Sequence, residues 1–448
     1  MGTDHAERPK GRLEDAATDE TGREHQRPGG TPCSRYRAAI AKQTLAITMT
    51  THALARWTVS SRSLLSRAIS DAPKPDPKPA CPIATPSSTV DQIRSCRTTS
   101  ASLGSGDPRP GGPQETGIAS PDVTIRLGYQ VPNFSYSTPV SELFPTVVAQ
   151  AREAEDAGFD AVFVMDHFYQ LPGIGSPNQP MLEAYSALSA LATATSRVQL
   201  SALVTGNTYR NPSHLAKAVT TLDVVSGGRA VLGIGAGWFE LEHRQLGFEF
   251  GTFTDRFDRL EEALSIIAPM LRGERPTVDG RWYHTESALN EPRIRDDLPI
   301  LIGGGGERKT FGLAARYASH LNIICDPAEL PRKLSALDDR CTEAGRGRAD
   351  IDTSFLASVV LGPDREAALA KAEAALRSRG VDLAAIDPQR RAAMESRMFA
   401  GSPEEVAAGI QSRILDAGIG GVVVNLIADG HEPGVVTRVG EALAPLVR

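Results

Sequence analysis

The chain has 448 residues, with 48 Lys and Arg against 54 Asp and Glu and a formal net charge of −6. No basic excess indicates a nucleic-acid partner, and no apolar run approaches the ~18 residues that a membrane span needs. The five cysteines include no C-x-x-C pair, so we expect no disulfide framework and a cytoplasmic protein.

Residues 1–120 differ in composition from the rest of the chain. Pro, Gly, Ser, Thr and Arg crowd this stretch, as at 73–79 and 104–117. Its apolar periodicity is too weak to build a core that would offset the entropy of ordering. We therefore predict a disordered low-complexity extension with one amphipathic helix at 49–70, which faintly resembles a transit peptide. A non-functional extension upstream of a mis-assigned start is the alternative.

From residue 121 to residue 448, apolar runs alternate with stretches of helical periodicity. Ser141 is the predicted N-cap of the first helix, which ends at Gly158. The predicted strands cover 125–132, 161–165, 198–204, 229–235, 299–302, 321–325, 354–361 and 421–426. The later predicted helices cover 182–195, 212 to the Gly227-Gly228 pair, 254–271, 307–318, 328–344, 364–379, 402–417 and 435–446.

The order of these elements predicts a fold class. An insertion at about 272–297 holds a small hairpin with Asp279-Gly280 at its turn. Outside it, eight strands are each followed by a helix, which predicts a (β/α)8 TIM barrel with insertions. An open doubly wound sheet is the alternative, but the glycine fingerprint after its first strand is missing.

Asp166 and His167 end the predicted strand at 161–165. A TIM barrel presents its chemistry at the carboxyl ends of its strands. Histidine has the side chain with the unperturbed pKa nearest neutrality, so His167 suits proton transfer. A histidine that caps the next segment, with Asp166 in a turn, is the alternative.

Two more strand ends carry candidate ligand contacts. The strand that includes Ser201 runs into a Thr205-Gly206-Asn207 turn, where amides and a hydroxyl can meet a flat ligand; a plain turn is equally compatible. The alternate glycines of Gly233–Gly237 let a backbone approach a ligand closely. Trp238 after them can wall a pocket, and Glu240 or Glu242 can hold a polar group. Glycines that pack against a helix are the alternative.

Gly303–Gly306 join a strand to a predicted helix. Bare amides at a helix N-terminus, together with the helix dipole, form an anion site. Arg308, Lys309 or Thr310 can add donors. No Gly-Lys-Ser/Thr follows at Walker spacing, which disfavours a nucleoside-triphosphate loop. No H-E-x-x-H motif indicates a metal, and no G-x-S-x-G elbow indicates a serine hydrolase.

The ordered set of motifs resembles a known family. The motifs are G-F-D-A-V-F-V-M-D-H-F at 158–168, Y-R-N-P-S-H-L-A-K at 209–217, T-L-D-V-V-S-G-G-R-A-V-L-G-I-G-A-G-W at 221–238 and P-I-L-I-G-G-G-G-E-R-K-T at 299–310. Together they resemble the luciferase-like monooxygenase superfamily, and most of all its oxidoreductases that use the deazaflavin coenzyme F-420. The resemblance covers about residues 123–448.

The resemblance implies a cofactor ring across the strand ends, bordered by Asp166 and His167, with His167 as acid/base. It implies a bulge or a non-prolyl cis peptide near Ser201–Thr205, behind the ring. It also implies that Gly303–Gly306 bind phosphate. The cofactor contacts expected from the motifs are Asp166, His167, Ser201, Thr205, Asn207, Gly303, Gly304, Gly305, Gly306 and Arg308. The expected substrate pocket holds Trp238, Phe239 and Glu242, and no metal site is expected.

One departure from the family bears on the substrate. The sugar-phosphate dehydrogenase branch carries a carboxylate directly after Gly-x-Gly, where this chain has Trp238. We therefore expect a more apolar pocket and no sugar phosphate. The implied function is hydride transfer between coenzyme F-420 and a small organic substrate. The alternatives are an FMN-dependent monooxygenase and a non-catalytic flavin- or deazaflavin-binding protein. Family members often form homodimers.

Overall fold

The structure, a computed structural model, describes residues 124–448. The extension predicted at 1–120, its helix at 49–70 and three of the cysteines lie outside the described residues. The boundary of the barrel domain at residue 121 stays a prediction. Cys325 and Cys341, which are described, are free thiols.

Twelve strands are present between residues 124 and 448, and ten of them form one parallel sheet. The strands are β1 (Leu127–Val131), β2 (Ala161–Val164), β3 (Gln199–Ala202), β4 (Thr205–Gly206), β5 (Leu232–Gly235), β6 (Val278–Asp279), β7 (His284–Thr285), β8 (Ile300–Gly303), β9 (His320–Ile323), β10 (Asp352–Leu361), β11 (Met398–Gly401) and β12 (Gly421–Asn425). β6 and β7 form the predicted hairpin, and Gly280 follows its first strand.

The parallel sheet closes on itself. Its order is β3-β2-β1-β12-β10-β9-β8-β5-β4, so β3 and β4 together fill one of eight barrel positions. A bridge between Leu200 and Ala230 joins β3 to the residues before β5 and completes the ring. The predicted (β/α)8 TIM barrel is therefore confirmed, and β11, which pairs with β10, is an addition that was not predicted.

Eleven α-helices accompany these strands. They are α1 (Val140–Asp156), α2 (Ala184–Ala194), α3 (Pro212–Ser226), α4 (Glu240–Leu246), α5 (Phe253–Leu271), α6 (Lys309–Tyr317), α7 (Leu330–Glu343), α8 (Arg365–Ser378), α9 (Pro388–Glu395), α10 (Pro403–Ile410) and α11 (Val435–Val447). None of the helices in this part of the chain is long and apolar enough to cross a membrane.

Local sequence signals explain some helix ends and not others. In α3, the Asn211 side chain accepts from two amides of the first turn, Pro212 opens the helix, and Gly227 ends it in the left-handed region at φ 68°. The prediction that Ser141 caps α1 is wrong: the N-cap is Pro139, without a side-chain bond, and Ser141 lies within the first turn. α4 and α9 were not predicted, because each is short and polar.

The period-two alternation of the strands sorts side chains into layers inside the barrel. The middle of the barrel is apolar and includes Phe163, Leu301 and Val423. One step nearer the carboxyl ends lies a mixed layer that forms the floor of a cavity: Gln130, Met165, Leu203, Val204, Gly235, Gly303, Ile324, Ser358 and Asn425. The strands therefore aim a ring of defined side chains at one end of the barrel.

A polar cluster interrupts the apolar interior. His320 Nε2 lies 2.7 Å from Ser354 Oγ, which also accepts a hydrogen bond from Asn322 Nδ2 at 2.8 Å. All three side chains are buried, and Nδ1 of His320 has no partner within residues 124–448. Burial lowers the pKa of His320 to about 4, because the interior disfavours the charged ring.

This lowered pKa predicts an acid-sensitive stability. Between pH 6.5 and pH 4, His320 is protonated in the unfolded chain but stays neutral in the folded chain. Because the unfolded chain binds more protons in this range, the free energy of unfolding falls as the pH falls. We expect His320 to contribute a loss of about 2 kcal/mol between pH 7 and pH 5. Urea denaturation at both pH values should show a shallower pH dependence in His320→Gln, and equal dependence in the two proteins would contradict the assignment.

Candidate active site

A cavity of about 650 Å³ lies at the carboxyl ends of the barrel strands. Asp166, His167, Thr205, Trp238 and Gly303–Gly306 line it, so the structure brings these predicted site residues together. The imidazole that follows β2 and the glycine loop that follows β8 thus face one space, although about 140 residues separate them in the chain.

Five other predicted site residues do not line the cavity: Ser201, Asn207, Phe239, Glu242 and Arg308. Ser201 points into the barrel one layer below the cavity floor, where its hydroxyl donates to the carbonyl of Ala202. Asn207 lies in a short 3-10 turn, and its amide reaches Tyr283 at 3.5 Å. The structure gives neither of them a path to a ligand in the cavity.

The aromatic and acidic residues after β5 divide between two roles. Trp238 is half-exposed and lines the cavity, whereas Phe239 is buried and stacks on Trp238 with ring centroids 5.2 Å apart. Both rings meet His167 edge-on, at 5.7 and 5.8 Å. Glu242, which was predicted in the substrate pocket, does not line the cavity, because its side chain is fully buried behind His167.

Glu242 collects the hydrogen bonds around His167. Its carboxylate lies 2.9 Å from His167 Nδ1 and accepts from the Tyr209 hydroxyl and from the amides of Phe168 and Tyr169. Burial raises the pKa of the Glu242 carboxyl. The hydrogen bond and charge of His167, together with the hydrogen bonds from the Tyr209 hydroxyl and the Tyr169 amide, lower it by more, so the pKa lies below its usual range. An ionised carboxylate therefore supports the ring.

Asp166 is bound to the protein on both carboxylate oxygens. Arg210 donates to them at 2.7 and 2.8 Å, and the amide of Gly206 donates at 3.0 Å. Arg210 also reaches Glu183 at 2.6 Å. Burial lowers the pKa of the Arg210 guanidinium, but the Asp166 carboxylate raises it by more, so the group is held as a cation. Asp166 thus ties the end of β2 to the turn at β4.

The predicted strand at 198–204 is divided at the cavity floor. The peptide bond between Leu203 and Val204 is cis, which confirms the non-prolyl cis peptide expected there. Beyond it, the Thr205 hydroxyl lies 2.8 Å from the hydroxyl of Tyr185. Leu203 and Val204 both line the cavity floor, and Gln130 in the same floor donates to the Leu203 carbonyl.

The glycine loop presents backbone to the cavity. Across residues 124–448, the amides of Gly305, Gly306 and Glu307 meet no acceptor of the protein. Lys333 holds the loop from behind, with Nζ 2.7 Å from the Gly305 carbonyl. These amides precede α6, so their partial positive charge and the helix dipole favour an anion. Arg308, at the N-cap of α6, does not line the cavity.

Sequence reasoning missed one wall of the cavity. This wall holds Arg390 and Met394 of α9, Arg397 after α9, and Met398 at the start of β11. Arg256 of α5 also lines the cavity. Arg390 donates to the carbonyl of Pro172, which joins α9 to the loop after β2. No local signal marks these residues as ligand contacts, because they lie in a polar segment between two barrel strands.

Three arginines therefore line the cavity: Arg256, Arg390 and Arg397. Burial lowers the pKa of the Arg397 guanidinium, and its only hydrogen bond among the described residues runs from Nε to the Ala393 carbonyl. The expected apolar pocket is present in part, in Leu171, Ile174, Trp238 and the two methionines. Its charged side was not expected.

Fold and site together define a TIM-barrel protein in which an imidazole and a bare-amide loop face one cavity. The sequence model of the luciferase-like monooxygenase family matches residues 125–436, and the chain belongs to this family. No group of three or more His, Cys, Asp or Glu residues within 124–448 is placed to hold a metal ion.

The chain is similar to several known F-420-dependent enzymes. An F-420-dependent glucose-6-phosphate dehydrogenase of Microbacterium testaceum is 36% identical over 255 residues, which cover 56% of this chain and 72% of that protein. An F-420-dependent secondary alcohol dehydrogenase, solved with an F-420–acetone adduct, is 22% identical with a TM-score of 0.60. The match covers 72% of this chain and 99% of that one. The F-420-dependent tetrahydromethanopterin reductase of Methanopyrus kandleri is 20% identical with a TM-score of 0.57, and the match covers 72% of this chain and 100% of that one. The two solved structures are similar in fold.

Proposed function

We propose that this protein is an oxidoreductase that transfers hydride between coenzyme F-420 and a small organic substrate, with His167 as the acid/base. The single observation that carries the proposal is the shared cavity of His167 and the Gly303–Gly306 loop. The F-420-dependent relative in Microbacterium testaceum supports the choice of cofactor. A cytoplasmic location and a homodimer stay predictions.

The residues present fit a phosphorylated planar cofactor. A Cβ at Gly305 would lie 2.4 Å from the Ile324 carbonyl oxygen, and one at Gly303 would lie 2.7 Å from Val204. Only glycine permits this close packing, which leaves the amide edge of the loop facing the cavity. We expect the loop amides to hold a phosphate and Leu203, Val204 and Thr205 to support a ring. The cofactor, when bound, supplies a carbon that accepts or donates hydride.

His167 and the α9 wall would then act on the substrate. The imidazole borders the cavity and can exchange a proton with a substrate group beside it. The expectation against a sugar phosphate rested on Trp238 at the position after Gly-x-Gly, whereas Arg390 and Arg397 bring positive charge to the same cavity. A substrate panel should therefore contain a sugar phosphate, neutral alcohols and carbonyl compounds.

Titration of the full chain with F-420 and with FMN, read by fluorescence quenching, tests the cofactor. We expect tighter binding of F-420 and turnover of at least one compound of the panel. Tight binding of FMN with oxygen uptake would instead favour a flavin monooxygenase, which the family description keeps as the second candidate. Binding without any turnover would indicate a sequestering protein and would contradict the proposal.

The glycine loop offers a sharper test. Gly305→Ala forces its Cβ against the Ile324 carbonyl, and overpacking of this kind costs about 1–3 kcal/mol. We expect the loop to move and the Kd for F-420 to rise at least ~10-fold. Gly312→Ala is the matched control, because a Cβ there meets nothing within 4 Å and Gly312 lies within α6. Equal affinities of the two variants would exclude the loop as a cofactor contact.

A further inference from the structure

The buried carboxylate of Glu242 binds both the backbone around His167 and the imidazole of His167 itself. It lies in α4, fully buried, 75 residues from His167 in the chain. Oε1 accepts from the amides of Phe168 at 2.5 Å and Tyr169 at 2.8 Å. Oε2 accepts from the Tyr209 hydroxyl at 2.5 Å and lies 2.9 Å from His167 Nδ1.

These four contacts decide which nitrogen of His167 carries the hydrogen. An ionised carboxylate can only accept hydrogen bonds, so Nδ1 at 2.9 Å must be the donor. In a neutral imidazole the other nitrogen then has no hydrogen and offers a lone pair. Nε2 meets no hydrogen-bonding atom of residues 124–448, and the ring borders the cavity, with Glu242 on its buried side.

We propose that Glu242 is a positioning residue that fixes the Nδ1–H tautomer of His167 and turns a bare Nε2 toward the cavity. The chemical use of Nε2 rests on the proposed function. There, a proton moves from a substrate group to Nε2, and the electron pair of the broken bond stays on the substrate. Glu242 stabilises the resulting imidazolium, and the reverse reaction returns the proton from the same nitrogen.

The edge contacts of the ring support this assignment. Trp238 and Phe239 meet the His167 ring at interplanar angles of 74° and 75°, so the ring has little freedom to turn about its χ2 axis. Tyr209 packs against Phe168, with ring centroids 5.1 Å apart, and so holds its hydroxyl on Glu242. The carboxylate is thus oriented from one side and the imidazole from the other.

The substitution Glu242→Gln makes a specific prediction. The amides of Phe168 and Tyr169 both donate, so they require the carbonyl oxygen of the new side chain to face them. Its NH2 group must then face Tyr209 and His167. Nδ1 becomes the acceptor, and the neutral ring of His167 carries its hydrogen on Nε2 instead. The tautomer that faces the cavity is therefore reversed without loss of the ring.

Long-range ¹H–¹⁵N correlation spectra of the full chain, labelled at histidine nitrogens, read this tautomer directly. The His167 signals are assigned by their loss in His167→Asn. We expect Nδ1–H in the wild type and in the control variant Glu240→Gln, which changes an exposed residue of the same helix. We expect Nε2–H in Glu242→Gln.

Two results would overturn the inference. A wild-type spectrum with Nε2–H does so even if Glu242→Gln fails to fold, and so does an unchanged tautomer in a folded Glu242→Gln. Because the spectra need no cofactor and no turnover, failure here is distinguishable from failure of the proposed function. Loss of F-420 binding would defeat the proposed function and leave the tautomer assignment in place.

Discussion

His167→Ala should lower turnover with F-420 by roughly 10²–10⁴-fold, because it removes the proposed acid/base from the cavity. The fold should survive, since Glu242 keeps three other donors: the Tyr209 hydroxyl and the amides of Phe168 and Tyr169. The affinity for F-420 should change little, because the amides of the Gly303–Gly306 loop are untouched. The measurement is the rate of the violet absorbance change with the best compound of the panel, beside a binding titration of the same sample.

His214→Ala is the control for a lost imidazole, because His214 is exposed on α3 and lies outside the cavity wall. It should keep the wild-type rate. An unchanged rate in His167→Ala would remove His167 from the acid/base role. A rate loss that comes with an equal loss of F-420 affinity would instead make the imidazole a binding group.

The sequence located the parts of the site that follow directly from strand ends. An apolar run that stops at Asp166-His167 and another that stops at Gly303 both mark carboxyl ends, and the closed barrel brings such ends together. Side chains alternate along a strand, so Ser201 and Leu203 both point into the barrel and Leu203 lies one layer nearer the carboxyl end. This alternation alone could have placed Ser201 below the cavity floor. The run 198–204 was predicted as one continuous strand, and nothing in its sequence shows that the strand is interrupted at Leu203–Val204, so the layer of Ser201 was not recognised.

The rest of the site depends on contacts between distant segments. Glu242 belongs to the site through α4, and nothing near it in the sequence shows that its carboxylate faces His167 rather than the cavity. Arg390 and Arg397 lie on a short polar helix and the residues after it, in a segment without clear periodicity. The positions of Glu242, Arg390 and Arg397 depend on tertiary packing, which cannot be derived from local patterns in a single sequence.

Asp166→Ala should destabilise the protein by roughly 3–5 kcal/mol, because it leaves the buried guanidinium of Arg210 with one carboxylate in place of two. The amide of Gly206 also loses its acceptor, which frees the turn that carries Thr205. We therefore expect a second effect, a weaker affinity for F-420, since this turn borders the cavity. Urea denaturation measures the first effect and fluorescence titration the second.

The comparison with Asp156→Ala separates burial from charge. Asp156 also pairs with an arginine, but its side chain is 81% exposed, and pairs of this kind contribute about 0–1 kcal/mol. Asp166→Ala combined with Arg210→Met should recover part of the lost stability, because the double variant also removes the buried guanidinium that Asp166→Ala leaves with Glu183 as its one carboxylate partner. If both aspartate variants lose the same small amount, the pair at Asp166 contributes no more than a surface ion pair, and the anchoring of the Thr205 turn must come from elsewhere.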